Sequence, residues 1–144
     1  TITRADFSYL YIDQECSVLD PGLTVFEQTE RFNASHLAEH ELKSILNRCL
    51  FPYETWDKPC FCLSGGEKIR LLFCCLMIGN NAPDVFILDE PTNNLDIQSV
   101  EIITAAIKSY RGTVLLISHD HYFVKEIKIN RSIKLFDTGS VIKI

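Results

Sequence analysis

No stretch of this sequence is long and apolar enough to cross a bilayer. The longest apolar run, Leu71 to Ile78, falls far short of the roughly 20 residues a spanning helix needs. The opening segment, Thr1 to Ser8, carries charge and lacks the apolar centre of a secretory signal. Positive charge is scarce: 14 Lys and Arg face 19 Asp and Glu, a net charge of −5, which argues against a general nucleic-acid-binding patch. With 6 glycines and 5 prolines and no internal repeat or linker, collagen-like, disordered and low-complexity classes are excluded. No two of the six cysteines stand in a C-x-x-C pair. Cys74 and Cys75 are adjacent in an apolar helical run, where neighbouring side chains diverge too far to share one metal. Cys16, Cys49, Cys60, Cys62, Cys74 and Cys75 therefore read as reduced thiols, most of them small buried hydrophobes. What is present is a 144-residue chain, 47% hydrophobic, with a mean hydropathy of +0.07. That is one domain or part of one, able to bury about two-thirds of its unfolded surface. A start at Thr1 in mid-pattern predicts a piece of a longer chain.

Phe7 to Ile12 (FSYLYI) is rich in β-formers and predicts a strand. Thr24 to Glu27 has the S/T-x-x-E form of a capping box and opens a helix. A second helix is predicted from about His36 to Leu50, with Leu37, Leu42, Ile45, Leu46 and Cys49 at helical spacing. Phe51 to Cys62, broken by Pro52 and Pro59, reads as a loop, and a third helix runs from Ser64 to about Ile78. The pattern then changes. Asp84 to Leu88 and Thr113 to Ile117 are short continuous apolar runs, as expected of strands buried on both faces. Helices are predicted between and after them, at Ile97 to Tyr110 and His121 to Ile127, and Ser132 to Ile144 reads as a hairpin. Strand–helix alternation of this kind predicts an α/β domain with a parallel sheet.

Three clusters carry chemistry. In Val85-Phe86-Ile87-Leu88-Asp89-Glu90 two carboxylates stand at the carboxyl end of a predicted buried strand, where open α/β sheets place their ligands. Such a pair suits a Mg²⁺ anchor and a water-polarising base, although a strand ending in a solvated acidic turn has the same spelling. In Leu63-Ser64-Gly65-Gly66-Glu67 the serine and glutamate form a capping box. The box does not account for two glycines in the first turn, which cost about 1 kcal/mol each against alanine. Bare N–H groups at a helix N-terminus, free to bind an anion, do account for them. In Ile117-Ser118-His119-Asp120 a histidine follows the second buried strand.

In this order and spacing the clusters closely resemble the nucleotide-binding domain of ABC ATPases. LSGGE matches the signature, VFILDE the Walker B strand, Asn94-Leu95-Asp96 the D-loop, His119 the switch histidine, and Gln14 the Q-loop glutamine. DEPTNNLD, SHDHYF and Asn47 to Phe51 before LSGGEK resemble the ABC-F class of tandem ATPases without transmembrane domains. The likeness runs from about Phe7 to Phe136. It implies a P-loop NTPase-like parallel sheet with an inserted helical subdomain: residues 1–14 as core strand and Q-loop, 15–80 as helical subdomain with the signature, 81–144 as core with Walker B, D-loop and switch histidine. It also implies ATP and Mg²⁺ as cofactors and a cytoplasmic location. By the same resemblance Asp89 holds Mg²⁺ through water, Glu90 polarises the attacking water, His119 contacts the γ-phosphate, and Gln14 senses metal and water. Asp96 couples two sites across an interface. Ser64, Gly65 and Gly66, with Glu67 in the same signature, reach a nucleotide held by a second nucleotide-binding domain.

The departures are specific. His121 stands where the family has arginine and Asn94 where it has histidine. No Walker A motif occurs, so these residues build no phosphate-cradling loop. In the family that loop lies upstream of the Q-loop, which places it before Thr1, and its absence implies an incomplete sheet. The resemblance orders the strands as Phe7–Ile12, Asp84–Leu88 and Thr113–Ile117, all parallel, with the last lacking a neighbour. Either the C-terminal hairpin slides in beside it, or a second molecule supplies the strand and the chain self-associates. Three functions stay open: an ABC-F ATPase acting at the ribosome, the ATPase subunit of a membrane transporter docking its partner on the helices between Gln14 and Leu63, and a non-catalytic binding module.

Overall fold

The computed structural model describes residues 6–13, 15–79, 82–135 and 141–143. The strand β1, Tyr9–Ile12, pairs along its whole length and leaves Phe7 and Ser8 of the predicted run outside it. Helix α1, Val25–Phe32, starts on a reciprocal box: the Thr24 hydroxyl accepts from the Glu27 N–H at 3.2 Å, and the Glu27 carboxylate accepts from the Thr24 N–H at 2.8 Å. Helix α2, Glu39–Arg48, begins three residues later than the sequence suggests, since His36 takes a positive φ of 53° that no helix accommodates. It ends in a Schellman motif without glycine. Leu50 sits at φ 60°, its N–H donates to Asn47 O, and the Phe51 N–H reaches back to Leu46 O.

The predicted loop contains two short 3₁₀ turns, Tyr53–Thr55 and Cys60–Cys62. Backbone bonds tie it to the start of α1: Val25 donates to Lys58 O, Phe26 to Trp56 O, and Cys60 to Leu23 O. The loop therefore delivers helix α3, Gly65–Ile78, at a fixed place. Every side chain from Ile69 to Cys75 is buried, and α3 packs on α1, α2 and the later helix α4, Ile97–Ser109.

Strands β2, Val85–Asp89, and β3, Thr113–Ile117, complete a parallel sheet in the order β1-β2-β3. The register aligns Leu10, Phe86 and Val114, then Ile12, Leu88 and Leu116, on one face. These residues belong to or pack against the single apolar cluster that also holds α3 and α4. Helix α5, His121–Glu126, buries Phe123 in the same cluster. An antiparallel pair, β4 (Ile133–Leu135) and β5 (Val141–Lys143), ends the described chain.

The strand order and direction are those the resemblance implies. Two expectations are overturned. The hairpin does not slide in beside β3: it forms a separate two-stranded sheet. A short hairpin satisfies its own ladder with little loop-closure entropy, whereas pairing with β3 requires a longer-range closure. Strands β2 and β3 are also not buried on both faces. Tyr9 is 62% exposed and Leu115 52% exposed, on the face they share with Tyr11, Ile87 and Ile117, because no described element covers it. The subdomain boundaries at 14/15 and 80/81 fall on Gln14, Asn80 and Asn81, outside the described residues. All six cysteines are free thiols, and five are buried, Cys62 being the exception.

Candidate functional site

The acidic pair sits where β2 leaves the sheet. Asp89 is the last residue of the strand, half-buried, and its Oδ2 accepts the Tyr11 hydroxyl from β1 at 3.1 Å. That bond, with the nearby negative charge, raises the Tyr11 pKa above its ordinary value. Glu90 turns the chain at once: its φ is 47°, a left-handed conformation costly for a side chain with a Cβ. Its N–H donates to Ile117 O at 2.9 Å, so the turn is fastened to the end of β3.

The Glu90 side chain is only 15% exposed, whereas that of His119 is 98% exposed. The His119 N–H points to Glu90 Oε2 at 3.4 Å, and its Nε2 lies 3.5 Å from Oε1. Oε1 is buried and has no hydrogen-bond partner among the described residues. A buried carboxylate oxygen without a donor is costly, and Oε1 is left free to accept a hydrogen bond.

A second group lies around the N-terminus of α3. The Ser64 hydroxyl accepts from the Glu67 N–H at 3.3 Å, and Glu67 Oε2 accepts from the Ser64 N–H at 2.7 Å. Lys58 donates to the other Glu67 oxygen at 3.3 Å. Burial pushes the Glu67 pKa up, but the bonds from Ser64 and the Lys58 ammonium outweigh it, leaving the pKa below its ordinary value. The two glycines differ. A Cβ on Gly66 would meet Leu95 Cδ2 at 2.9 Å, so Gly66 gives room to the Asn94–Asp96 turn. A Cβ on Gly65 would meet nothing within 4 Å, so no packing among the described residues requires that glycine.

Asp96 caps α4, accepting the Ser99 N–H at 2.8 Å and the Ser99 hydroxyl at 2.9 Å. These bonds, led by the Ser99 N–H, hold its carboxyl below the usual range. Pro91 to Asn94 joins the two groups, turning through Asn93 N–H to Glu90 O and Leu95 N–H to Thr92 O.

The structure thus brings Asp89, Glu90 and His119 together at the sheet's exit, and brings Ser64 to Glu67 against the turn that carries Asp96. Gln14 lies outside the described residues. Sequence reasoning missed Tyr11, Arg70 and Ser99. A charged residue inside the apolar run of α3 was the available signal for Arg70. The oxygen-only donors Asp89 and Glu90, one with a buried unsatisfied atom, fit Mg²⁺, which needs one or two carboxylates plus phosphate oxygens and water. Among the described residues no group of three His, Cys, Asp or Glu side chains could hold a metal.

Comparison with known proteins adds an independent line. A sequence family described as "ABC transporter" matches residues 2–93. ABC transporter F family member 5 of Arabidopsis thaliana is 43% identical over 128 residues, covering 88% of this chain and 18% of the relative. Probable ATP-binding protein YbiT of Escherichia coli O157:H7 is 43% identical over 124 residues, covering 86% of this chain and 23% of the relative. The chain therefore spans less than a quarter of the length of either. Among solved structures, archaeal ribosome recycling factor aABCE1, in its complex with ribosomal stalk protein aP1, superposes with a TM-score of 0.70 at 24% identity. That match covers 92% of this chain and 26% of the other.

Proposed function

The chain belongs to the ABC transporter family, and from that premise we propose that it contributes the Walker B, D-loop, switch and signature parts of an ABC-F type ATPase. The observation that carries the reading is the arrangement at the exit of β2: Asp89 half-buried, Glu90 buried with an oxygen in want of a donor, and His119 beside it in solvent. Asp89 is the residue that would hold Mg²⁺, through water, with Gln14 as its second contact. When bound, the ion neutralises charge on the phosphoryl oxygens. Glu90 Oε1 accepts a proton-bearing water and orients it, and its burial keeps the carboxylate's field unscreened. His119, tethered to Glu90 only loosely, reaches outward as a donor to a terminal phosphate. Gln14 completes the metal and water sensing in this reading.

At the other end, Ser64 and the bare backbone of Gly65 and Gly66, held by Glu67, face outward to the phosphates of a nucleotide bound on a second nucleotide-binding domain. Asp96 stands at the same interface. Since no Walker A motif occurs in these residues, the nucleotide's main grip must come from outside this chain, and the isolated chain is inactive. Its sheet face and β3 edge, uncovered among the described residues, favour self-association when it is alone. The F-family relative and the ATP-binding protein YbiT support a cytoplasmic ATP-binding protein over a transporter subunit. A ribosome-linked role rests on those relatives' class and on the neighbour's description as a ribosome recycling factor.

The test is Glu90→Gln in the full-length protein. Mg-ATP binding should persist while multiple-turnover hydrolysis falls by at least two orders of magnitude. Unchanged turnover would favour a non-catalytic module. For the isolated chain, sub-micromolar Mg-ATP binding by calorimetry would contradict the proposal.

A further inference from the structure

Helix α3 carries one charge into its fully buried stretch. The Arg70 side chain is only 10% exposed, and it lies one and a half turns beyond the Ser64–Gly66 turn. Its guanidinium donates from Nη1 to Ser99 Oγ at 2.8 Å, and the same nitrogen stands 3.8 Å from Asp96 Oδ2. Ser99 is wholly buried and passes the interaction on, its hydroxyl donating to Asp96 Oδ2 at 2.9 Å. The guanidinium carbon lies 5.0 Å from the centre of the Phe51 ring, a cation–π contact that fixes the plane of the group. Arg70 Nε is buried and finds no hydrogen-bond partner among the described residues.

A guanidinium buried with one donor unsatisfied is a poor device for stability alone, since an apolar side chain of similar volume costs less. What the arrangement does achieve is mechanical. The signature turn and the α4 cap are joined twice: by the contact of Gly66 with Leu95, and by the relay from Arg70 through Ser99 to Asp96. We propose that Arg70 is a positioning residue that makes the signature turn and the Asp96 turn move as one body. Arg70 touches no nucleotide in this arrangement. It acts by holding Asp96 in the orientation set by the N-terminus of α3. The consequence for function rests on the reading above: a phosphate seated on Ser64 to Gly66 is then felt at Asp96, and through it at the neighbouring site.

The coupling can be read without activity. Amide hydrogen exchange at Glu67 and Lys68, the first bonded amides of α3, is measured in this chain with and without Ser99→Ala. With native Arg70, the Ser99 substitution should accelerate exchange at both amides about tenfold. With Arg70→Met the Ser99 substitution should leave exchange at both amides unchanged, its effect being confined to the start of α4. Arg70→Gln serves if the methionine variant does not fold. Equal acceleration in both backgrounds, or none with native Arg70, overturns the proposal. In the full-length protein, Arg70→Met should lower kcat about tenfold with KM for ATP within about twofold, and Arg70→Lys should recover part of the loss. A full-length protein with no ATPase turnover would remove the functional reading and leave the exchange experiment to decide the coupling. Full turnover in Arg70→Met would overturn the coupling and leave the functional reading intact.

Discussion

Helix α3 from Ile69 to Cys75 buries every side chain, whereas β3, equally apolar in spelling, buries none completely. The helix is wrapped by α1, α2 and α4 on successive sides. The strand has β2 on one edge and the apolar cluster on one face, and nothing among the described residues on its other edge or face. Leu115 and Ile117 thus display in solvent the kind of side chain that β2 and α3 enclose. Apolar spelling records that a segment is suited to burial. It does not record which element, or which chain, provides the cover. The Ser64–Glu67 end of the candidate site is built on the enclosed region, and the Glu90–His119 end is fastened to the exposed one through Ile117.

Thiol chemistry gives the largest contrast. Burial pushes the Cys16 thiol up to about 12 and Cys60 to about 11, and raises Cys75 further still. Thiolate is therefore scarce at these three, and access to all five buried thiols requires opening of the structure. A maleimide or disulfide reagent near pH 7 should modify Cys62 within minutes and leave the other five slower by several orders of magnitude, with all six reacting once denatured. Fast native labelling of Cys74 or Cys75 would break the comparison by showing that α3 is not enclosed. Failure of any thiol to react after denaturation would show disulfides instead.

Truncation across the sheet comes next. Leu88 is fully buried and Leu115 is half in water, although they lie on neighbouring strands. Leu88→Ala should cost about 2–5 kcal/mol in urea denaturation, and Leu115→Ala within about 0.5 kcal/mol. Equal costs would mean that the exposed face is covered in solution, with a second copy of the chain the first suspect. Leu115→Lys would then restore a monomer by light scattering.

Acid acts on the enclosed region through Glu67. Its folded-state pKa lies below the ordinary value of 4.5, so the box contributes stability above that pH. The contribution is lost as the pH falls through the folded value. Ser64→Ala should remove about 1 kcal/mol at neutral pH, and the difference from the native chain should narrow progressively below about pH 4.5. A pH-independent difference would place the loss in packing, not in the capping carboxylate.

The legible part of the molecule is the part governed by local chemistry. Thr24-x-x-Glu27 and Ser64-x-x-Glu67 mark helix starts because the whole interaction lies within four residues. Strand order follows from motif resemblance, and β2 and α4 fall within about one residue of their predicted bounds. The exposure of Leu115, the bond from Tyr11 to Asp89 and the relay from Arg70 to Asp96 were not legible. Each depends on partners 26 or more positions away or on the absence of cover, which periodicity does not encode. In the candidate site, residue types were readable but the division of labour between the glycines was not. It took the neighbouring turn to show that Gly66 makes room for Leu95 while Gly65 faces open space.

The smallest effect concerns the edge of the enclosed region, where α2 hands the chain to the loop that delivers α3. Leu50 occupies the left-handed position of the Schellman motif at φ 60° and is partly exposed, while its neighbours Leu46 and Phe51 are buried. Glycine is the residue that takes this conformation without a Cβ penalty, and the motif's two hydrogen bonds are made by backbone alone. Leu50→Gly should therefore relieve backbone strain while giving up little apolar burial, and should raise stability by about 0.5 kcal/mol once the greater freedom of glycine in the unfolded chain is counted. Thermal or urea unfolding of the two chains measures it. A loss of 1 kcal/mol or more would mean that the Leu50 side chain is covered in solution, which would extend the enclosed region past the end of α2 and narrow the contrast with β3.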